Sequence, residues 1–276
     1  MIHIKRKVGV NRVFMLTVGW EDLPKSWSVH GADPEIRLVE PVPVVLIESI
    51  DGWVMLDTGF NKALIEDPAL YRRFHSKFHL IKPILPSYEV DPLLDALDRL
   101  GISVNEISVV ALSHLHNDHA GGIRHFSGEA TFVIQEAELA FGLGDQARTQ
   151  SHGLARVDYD DPLINWRTIS GDAEIAGGVE AIFTPGHTPG HMSFLVHLDG
   201  NDSQGLVFAF DAGDLMENFN DEKPVGGFLD VTPEQTVDQI RKLKRIATQF
   251  NYKLIPGHDP NVWPTLTEGL IRRIHS

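Results

Sequence analysis

The feature of this chain that most limits how it can fold is a short segment crowded with histidines. Residues 113–122 have the sequence Ser-His-Leu-His-Asn-Asp-His-Ala-Gly-Gly, so three imidazoles and one carboxylate lie within six positions. Burying these polar groups together costs free energy unless a partner replaces their water, and a divalent cation binds both neutral imidazole nitrogen and carboxylate oxygen. The segment differs from the H-E-x-x-H helix of zinc proteases, which places two histidines on one helix face. It therefore predicts a metal site built on a loop.

The spacing within this segment predicts that one loop serves two metal ions. Residues 109–112 form an apolar run with β-branched side chains, which is typical of a buried strand. His114 and His116 follow it in extended backbone, where side chains two apart point to the same side. Asp118 and His119 come after a change of direction, and the two glycines that follow let the chain turn and pack closely. We therefore expect the two pairs to face neighbouring positions.

An apolar run followed by a candidate ligand occurs again further along the chain. A Gly-His in a turn has an ordinary structural interpretation by itself, but the repeated arrangement of a predicted strand followed by such a residue favours a metal site. The repeats are residues 179–183 with His187, residues 206–210 with Asp211, and residues 253–255 with His258.

The order His-x-His-x-Asp-His, together with the later repeats, resembles the signature of the metallo-β-lactamase-fold hydrolase superfamily. Periodicity alone predicts only an α/β or α+β chain. The resemblance implies an α+β fold of the αβ/βα sandwich type, with two mixed β-sheets flanked by helices and metals at one edge between the sheets. It also implies a set of site residues: His114, His116 and His187 for one metal, Asp118, His119 and His258 for the other, Asp211 between the two metals, and Asp57 supporting the ligands without binding a metal itself. Because the resemblance requires only one ligand from the loop of His187, we expect His191 to be a hydrogen-bonding or pocket residue.

Within this superfamily, the order of motifs is similar to that of the N-acyl homoserine lactonases, the quorum-quenching enzymes. The likeness extends over about residues 40–265, although the superfamily motifs are the more specific ones. It implies opening of a lactone ring by a hydroxide held between two divalent metal ions, with Asp118 accepting or relaying the proton. Imidazole and carboxylate suit zinc, which we expect first, but also iron, cobalt or manganese.

Two positions depart from the lactonase pattern. Such enzymes usually have a tyrosine three residues after the bridging aspartate, where this chain has Asp214, and an aromatic residue where it has Asn117. Asp214 can donate a hydrogen bond to the substrate only as the protonated acid, which requires a raised pKa. We predict Asp118 and Asp214 as catalytic groups, and Asn117, Asp214, Trp20 and Trp27 as substrate contacts. The two tryptophans also fit a hydrophobic core or a dimer contact.

Other functions are open to the same residues. A hydrolase of another lactone, a carboxylic ester or an organophosphate would use the same metal site, and an iron-dependent redox enzyme would share its ligands. A thioester hydrolase of the glyoxalase II kind is disfavoured, because the chain has no clear basic cluster for the glutathione carboxylates. Residues 57–59, Asp-Thr-Gly, match the aspartic protease triplet, but no second copy supplies the paired carboxylate.

Composition limits the kinds of partner that the chain can bind. With 276 residues, of which 42% are hydrophobic, it can bury a sizeable core, and we expect a single domain over residues 1–276. Its 38 acidic residues against 24 basic ones give a formal charge of −14, which works against a nucleic acid partner. No apolar run approaches the ~20 residues of a membrane helix, so we expect no membrane partner and a cytoplasmic location. The expected partner is a small lactone or ester, and the resemblance implies a homodimer.

Three segments carry clear signals of secondary structure. Residues 44–48 and 53–56 predict a hairpin around residues 51–52. Asp91 and the proline after it predict the start of a helix that ends near Gly101. Residues 232–235 have the spacing of a capping box. The helix that they begin has an apolar stripe, made of Val237, Ile240, Leu243, Ile246 and Phe250.

Overall fold

Two β-sheets are formed by the part of the chain that the computed structural model describes, which is residues 9–75, 80–126, 128, 130–145, 153–198, 205–229 and 231–266. The first sheet has seven strands in the order β4-β1-β2-β3-β5-β6-β7, and the second has five in the order β12-β11-β10-β9-β8. The strands are β1 (Val10–Pro24), β2 (Arg37–Ser49), β3 (Gly52–Leu56), β4 (Lys82–Ile84), β5 (Ile107–Ala111), β6 (Thr131–Gln135), β7 (Asn165–Ile169), β8 (Ala173–Ala176), β9 (Val179–Phe183), β10 (Met192–Val196), β11 (Leu206–Phe208) and β12 (Lys253–Ile255).

Both sheets combine parallel and antiparallel pairs. In the first sheet, the adjacent pairs β3–β5, β5–β6 and β6–β7 are parallel, whereas β1 pairs antiparallel with β2 and β4, and β2 pairs antiparallel with β3. In the second sheet, β11 and β12 are parallel and the remaining pairs are antiparallel. The expectation of two mixed sheets is therefore confirmed.

Helices separate several of the strands along the chain. They are α1 (Lys25–Ser28), α2 (Lys62–Glu66), α3 (Pro68–Phe74), α4 (Pro92–Leu100), α5 (Asn117–Ala120), α6 (Glu136–Gly142), α7 (Met216–Asp221) and α8 (Pro233–Phe250). Short 3₁₀ helices add Val104–Glu106, Ile123–His125, Arg156–Asp158 and Phe210–Ala212. Among the described residues, none of these helices combines the length and the apolar character that crossing a membrane requires.

Hydrophobic clusters between and outside the sheets hold the layers together. One cluster joins the two sheets and includes Val45 and Val54 from the first and Phe194 and Phe208 from the second. A second cluster packs α8 on the outer face of the second sheet. A third places α4 against the first sheet, where Leu93 is buried. This helix, sheet, sheet, helix order confirms the expected αβ/βα sandwich.

The predicted hairpin and helices occur in the structure, although β2 begins at Arg37, well before the predicted start of the hairpin at residue 44. β2 and β3 pair antiparallel, with Val45 opposite Leu56. The Asp91 side chain accepts hydrogen bonds from the first-turn amides of α4, and Gly101 ends that helix with φ 69°. A capping box begins α8, and most of its predicted stripe is buried, with Phe250 partly buried. The single domain over residues 1–276 stays a prediction, because both chain ends lie outside the described residues.

Two local predictions differ from the structure near the site. The apolar run 206–210 is not all strand, because β11 ends at Phe208 and Phe210 turns the chain with a left-handed φ of 47°. Gly121 has φ −66°, so the turn at this point does not depend on the conformational freedom of glycine. Its role is close packing, since a Cβ on Gly121 would stand 2.0 Å from the backbone nitrogen of Asn61.

Candidate metal centre

The predicted ligands come from four separate segments and are buried together. β5, β9, β11 and β12 each end shortly before one or more of them. All seven residues are at most 7% exposed: His114, His116, Asp118, His119, His187, Asp211 and His258. The ends of strands from both sheets thus converge on one place.

Three histidines form the first group of ligand atoms. His116 Nδ1 lies 2.8 Å from His114 Nε2 and 2.9 Å from His187 Nε2. Asp211 Oδ2 lies 3.2 Å from His187 Nε2 and 3.8 Å from His114 Nε2. A neutral imidazole has one N–H and one lone pair, and the other ring nitrogen of His114 already lies 2.9 Å from the Ser113 hydroxyl. The three facing nitrogens cannot all pair with one another, whereas a shared cation would satisfy them.

A second group adjoins the first and shares Asp211 with it. His119 Nε2 lies 2.9 Å from Asp118 Oδ2, and His258 Nε2 lies 4.0 Å from the same oxygen. Asp211 Oδ1 lies 3.1 Å from His258 Nε2 and 3.3 Å from His119 Nε2. Since Asp211 Oδ2 faces the first group, the single carboxylate contacts both.

The donor set fits divalent metal ions. Ligand atoms of His114, His116, His187 and Asp211 all lie within 4.8 Å of one another, as do those of Asp118, His119 and His258. Burial lowers the pKa of both His114 and His116, so these imidazoles are neutral, as metal ligands must be. Imidazole nitrogen combined with carboxylate oxygen suits zinc, and also manganese, iron or cobalt.

Asp57 orients the loop of residues 113–122, which carries four of the candidate ligands. Its Oδ2 lies 2.7 Å from His119 Nδ1 and accepts a hydrogen bond of 2.7 Å from the Ser113 hydroxyl, while Oδ1 accepts one of 2.7 Å from the Ser113 amide. His258 is oriented in a similar way, with Nδ1 2.9 Å from the Pro41 carbonyl oxygen. Such partners hold the other nitrogen of each ring toward a metal.

A cavity that is open to solvent lies over the two groups. Its lining includes Asn117, Asp118, Asp214 and Trp27 from the sequence prediction. Trp20 is not among its lining residues within the described part of the chain. It lies on β1 opposite Pro41 and Ile84 and is partly buried there.

Asp214 is a buried carboxyl at the edge of the second group. Its backbone oxygen accepts a hydrogen bond of 2.8 Å from the His258 amide, but no described residue hydrogen-bonds its Oδ1. Burial and the adjacent Asp211 carboxylate raise its pKa well above the ordinary range. A bound cation would oppose this rise.

His191 forms its hydrogen bonds with Thr184 and not with the candidate ligands. Its Nδ1 lies 2.9 Å from the Thr184 hydroxyl and 3.2 Å from the Thr184 carbonyl oxygen. Burial lowers its pKa to about 3, so the ring is neutral. These contacts fit the hydrogen-bonding role expected from the sequence.

Comparison with known families supports this description of the site. A family model described as the metallo-beta-lactamase superfamily matches residues 37–258, which include all seven candidate ligands. The chain belongs to the metallo-beta-lactamase superfamily.

Several relatives of known name lie within this superfamily. The chain is 33% identical over 242 residues to the N-acyl homoserine lactonase AttM of Rhizobium johnstonii, covering 86% of this chain and 87% of the relative. It is 31% identical over 251 residues to an N-acyl homoserine lactonase of Bacillus thuringiensis, covering 91% and 94%. A solved N-acyl homoserine lactone hydrolase, with the product N-hexanoyl-L-homoserine at its catalytic metal centre, superposes with a TM-score of 0.79 at 28% identity, covering 91% and 94%.

Glu138 on α6 supports the site but was not predicted from the sequence. Its carboxylate is fully buried and accepts hydrogen bonds from the Leu115 amide, at 3.0 Å, and the Gly190 amide, at 2.9 Å. It therefore ties the loop of His114 to the loop of His187. The only signal in the sequence is an acidic residue beside apolar ones in a short helix, which is too common to indicate this role.

Two further glutamates, Glu21 and Glu40, also line the cavity without having been predicted. They face each other directly across β1 and β2. Burial raises the pKa of Glu40 to about 7, and burial together with the Asp118 carboxylate raises that of Glu21. Neither residue belongs to a recognisable motif, because only the pairing of the two strands brings them to the cavity.

Proposed function

We propose that this protein is a metal-dependent hydrolase that opens the lactone ring of N-acyl homoserine lactones. The observation that carries the proposal is Asp211, whose two carboxylate oxygens contact two adjoining groups of histidines beneath an open cavity. The relatives described above support the substrate class, because they are named as N-acyl homoserine lactonases and match over most of both chains.

The ligand residues divide between two ions. In this proposal zinc is the metal, and iron, cobalt or manganese share its preference for these donors. Bound divalent ions would lower the pKa of a water toward about 7 and polarise the lactone carbonyl. His114, His116 and His187 would hold one ion, Asp118, His119 and His258 would hold the other, and Asp211 would contact both.

The proposed acid–base groups lie at the cavity wall. Asp118 faces the cavity and takes a proton from the attacking water, then returns it to the ring oxygen that leaves. Asp214 in its protonated form donates a hydrogen bond to the substrate oxygen, the role for which related enzymes use a tyrosine. This role requires the protonated carboxyl, which burial of Asp214 favours and a bound cation opposes.

The remaining cavity residues position the substrate. Asn117 Nδ2 lies 3.3 Å from His75 Nδ1, so the two side chains orient each other at the cavity wall. Trp27 and Phe228 pack together with ring centroids 4.7 Å apart and give the cavity an apolar side for an acyl chain. A homodimer, a cytoplasmic location and the absence of nucleic acid and membrane partners stay predictions from the sequence.

The test measures hydrolysis of N-acyl homoserine lactones with short and long acyl chains. Acid release in a pH-stat monitors the reaction. Purified wild-type protein should release acid from these lactones, whereas His116→Ala and Asp211→Ala should release none, because each loses a ligand. His30→Ala is the matched control, since His30 is exposed and outside the cavity lining. It should keep the wild-type rate.

A panel of other substrates separates the alternatives. Acid release from a different lactone, a carboxylic ester or an organophosphate, without release from N-acyl homoserine lactones, would keep a hydrolase and overturn the proposed substrate. Oxygen consumption by an iron-loaded protein that hydrolyses none of these would overturn the hydrolase itself.

A further inference from the structure

Two polar side chains, His75 and Asn117, line the cavity beside the candidate metal centre. His75 directly follows α3, and Asn117 begins α5 between the candidate ligands His116 and Asp118. The lactonase pattern usually has an aromatic residue at the position of Asn117. This chain therefore presents polar atoms to the cavity where that pattern has an apolar surface.

The contact between His75 and Asn117 determines which of their atoms remain for a ligand. Asn117 Nδ2 lies 3.3 Å from His75 Nδ1, and because an amide nitrogen can only donate, Nδ1 is the acceptor. Burial lowers the pKa of His75 to about 4, so the ring is neutral and carries its one proton on Nε2. The ring is held in place by Tyr71, stacked with centroids 5.5 Å apart, and by the edge of Phe60 at 6.4 Å.

Two polar atoms of this pair have no hydrogen-bond partner among the described residues. They are His75 Nε2, which donates, and Asn117 Oδ1, which accepts. Neither belongs to the polar atoms of the described residues that are buried without a partner, so a molecule in the cavity can reach both. His75 is only 6% exposed, and a substrate that fills the cavity would displace the water that contacts its ring. A polar atom left unpaired in this way costs free energy.

The polar pair adjoins the apolar side of the cavity that is proposed for the acyl chain. The Asn117 amide donates a hydrogen bond of 3.3 Å to the Gly153 carbonyl oxygen, and a Cβ on Gly153 would stand 3.4 Å from the Phe228 ring. Gly153 therefore connects the pair to the packed rings of Trp27 and Phe228, and all of these residues line the cavity. Because Asn117 also adjoins two candidate ligands in the chain, the pair faces the part of the acyl chain that is close to the lactone ring.

We propose that His75 and Asn117 determine specificity by selecting acyl chains that carry a hydroxyl group close to the amide. The inference rests on the proposed function, since it names the subclass of lactone that the same cavity prefers. A hydroxyl group accepts and donates hydrogen bonds, which matches the donor on His75 and the acceptor on Asn117. An unsubstituted chain leaves these atoms unpaired once water is displaced, and a site built to hydrogen-bond a substrate group discriminates against the analogue that lacks it for this reason.

The test compares two lactones of equal chain length on the metal-loaded wild-type protein. They are N-hexanoyl homoserine lactone and its 3-hydroxyhexanoyl counterpart, which differ by one oxygen atom. We expect kcat/KM to be about tenfold higher for the hydroxylated lactone, the effect of a hydrogen bond that the other substrate cannot make. Equal values, or a preference for the unsubstituted lactone, would overturn the selection and leave the proposed function in place. Hydrolysis of neither lactone would overturn the proposed function and the selection with it.

Variants assign the preference to the pair. Asn117→Leu and His75→Phe nearly keep the size of each side chain and remove its polar atoms, so each should lower kcat/KM more for the hydroxylated lactone and bring the ratio toward one. Asn105→Leu makes the matched change at an exposed position outside the cavity lining and should keep the ratio. If one variant fails to fold, the other decides, because the two residues lie on different segments of the chain. Equal losses for both lactones, with the ratio unchanged, would show a structural role only and overturn the proposal.

Discussion

Asp57 shows how a single residue can decide the geometry of the ligand loop. It sits in left-handed backbone with φ 59°, and its two oxygens contact His119 and Ser113. Asparagine and aspartate tolerate this conformation better than other residues with a Cβ. Burial raises the pKa of Asp57, while the contacts with His119 and Ser113 oppose the rise. The residue therefore combines a backbone requirement with a charge beside the histidine.

Asp57→Asn keeps the backbone tolerance and removes the charge. We expect the affinity for zinc to fall about 10- to 100-fold, the usual effect of losing a partner that orients a ligand. Competition with a chromogenic chelator measures it. Asp98→Asn makes the same change at an exposed position on α4 and should leave the affinity unaltered. An unchanged affinity in Asp57→Asn would show that Asp57 does not support the metal ligands.

Asp158 makes the stability of the fold depend on pH. Burial raises its pKa from 3.8 to about 7, although Asn61 donates a hydrogen bond to it. Between about pH 4 and 7 the folded state keeps a proton that the unfolded state has released, so this group's stabilising contribution is full at low pH and is lost as pH rises. Asp158→Asn should therefore become more stable relative to wild type by up to about 1.4 kcal/mol per pH unit across that window.

Urea unfolding of both proteins at several pH values measures this difference. The gain of Asp158→Asn should level off above pH ~7, where the group is ionised in both states. Asp98→Asn is again the control and should show a difference from wild type that does not vary with pH. A constant difference for Asp158→Asn as well would contradict the raised pKa.

The residues of the site differ in how far the sequence could predict them. His114 and Asp118 were predicted because ligand chemistry restricts which side chains can crowd together in a loop. Glu138 and Glu40 were not, because a single acid gains its role only from the elements that the fold places beside it.

At the level of elements, the candidate ligands follow the ends of strands. Helices pack against the outer faces of the sheets that contain these strands. α8 is the clearest case, because its capping box and its buried stripe were both present in the sequence and both occur in the structure. Leu243 on that stripe is fully buried against the second sheet. The strands β9 to β12 that carry three of the ligands thus depend on packing far from the site.

Leu243→Ala should lower the free energy of unfolding by about 2–5 kcal/mol, the range for removing a large side chain from a packed core. Chemical denaturation measures the change. Gln249→Ala, at an exposed position on the same helix, should stay within about 0.5 kcal/mol of wild type. A small effect of Leu243→Ala would mean that α8 is not tightly packed on the sheet.

Prediction at the level of elements failed where tertiary contacts override local pattern. β1 was not predicted, because its irregular pairing with β2 and the glycine within it interrupt the alternation of a strand. Phe210 was assigned to an apolar run, but the chain turns there so that Asp211 enters the site. Local sequence does not contain the reason for either event.

At the scale of the whole molecule, two sheets bring segments that are distant in the chain to one metal centre. Asp57 and His258 are about two hundred residues apart in the chain. Asp57 contacts His119 and His258 contacts Asp211, and these two pairs form one cluster only because the sandwich closes. The motif order predicted this closure through a resemblance, since periodicity alone could not have distinguished it from other α/β or α+β folds. We propose that this centre, loaded with two ions, hydrolyses lactones.

The most direct test of that claim is a titration of metal into chelator-treated protein. Zinc is added in steps, bound metal is measured by elemental analysis, and hydrolysis of an N-acyl homoserine lactone is followed in a pH-stat. We predict no hydrolysis without metal and a rate that rises to a plateau at about two ions per chain. Full hydrolysis by the metal-free protein, or a protein that binds two ions and hydrolyses no lactone, would contradict the claim.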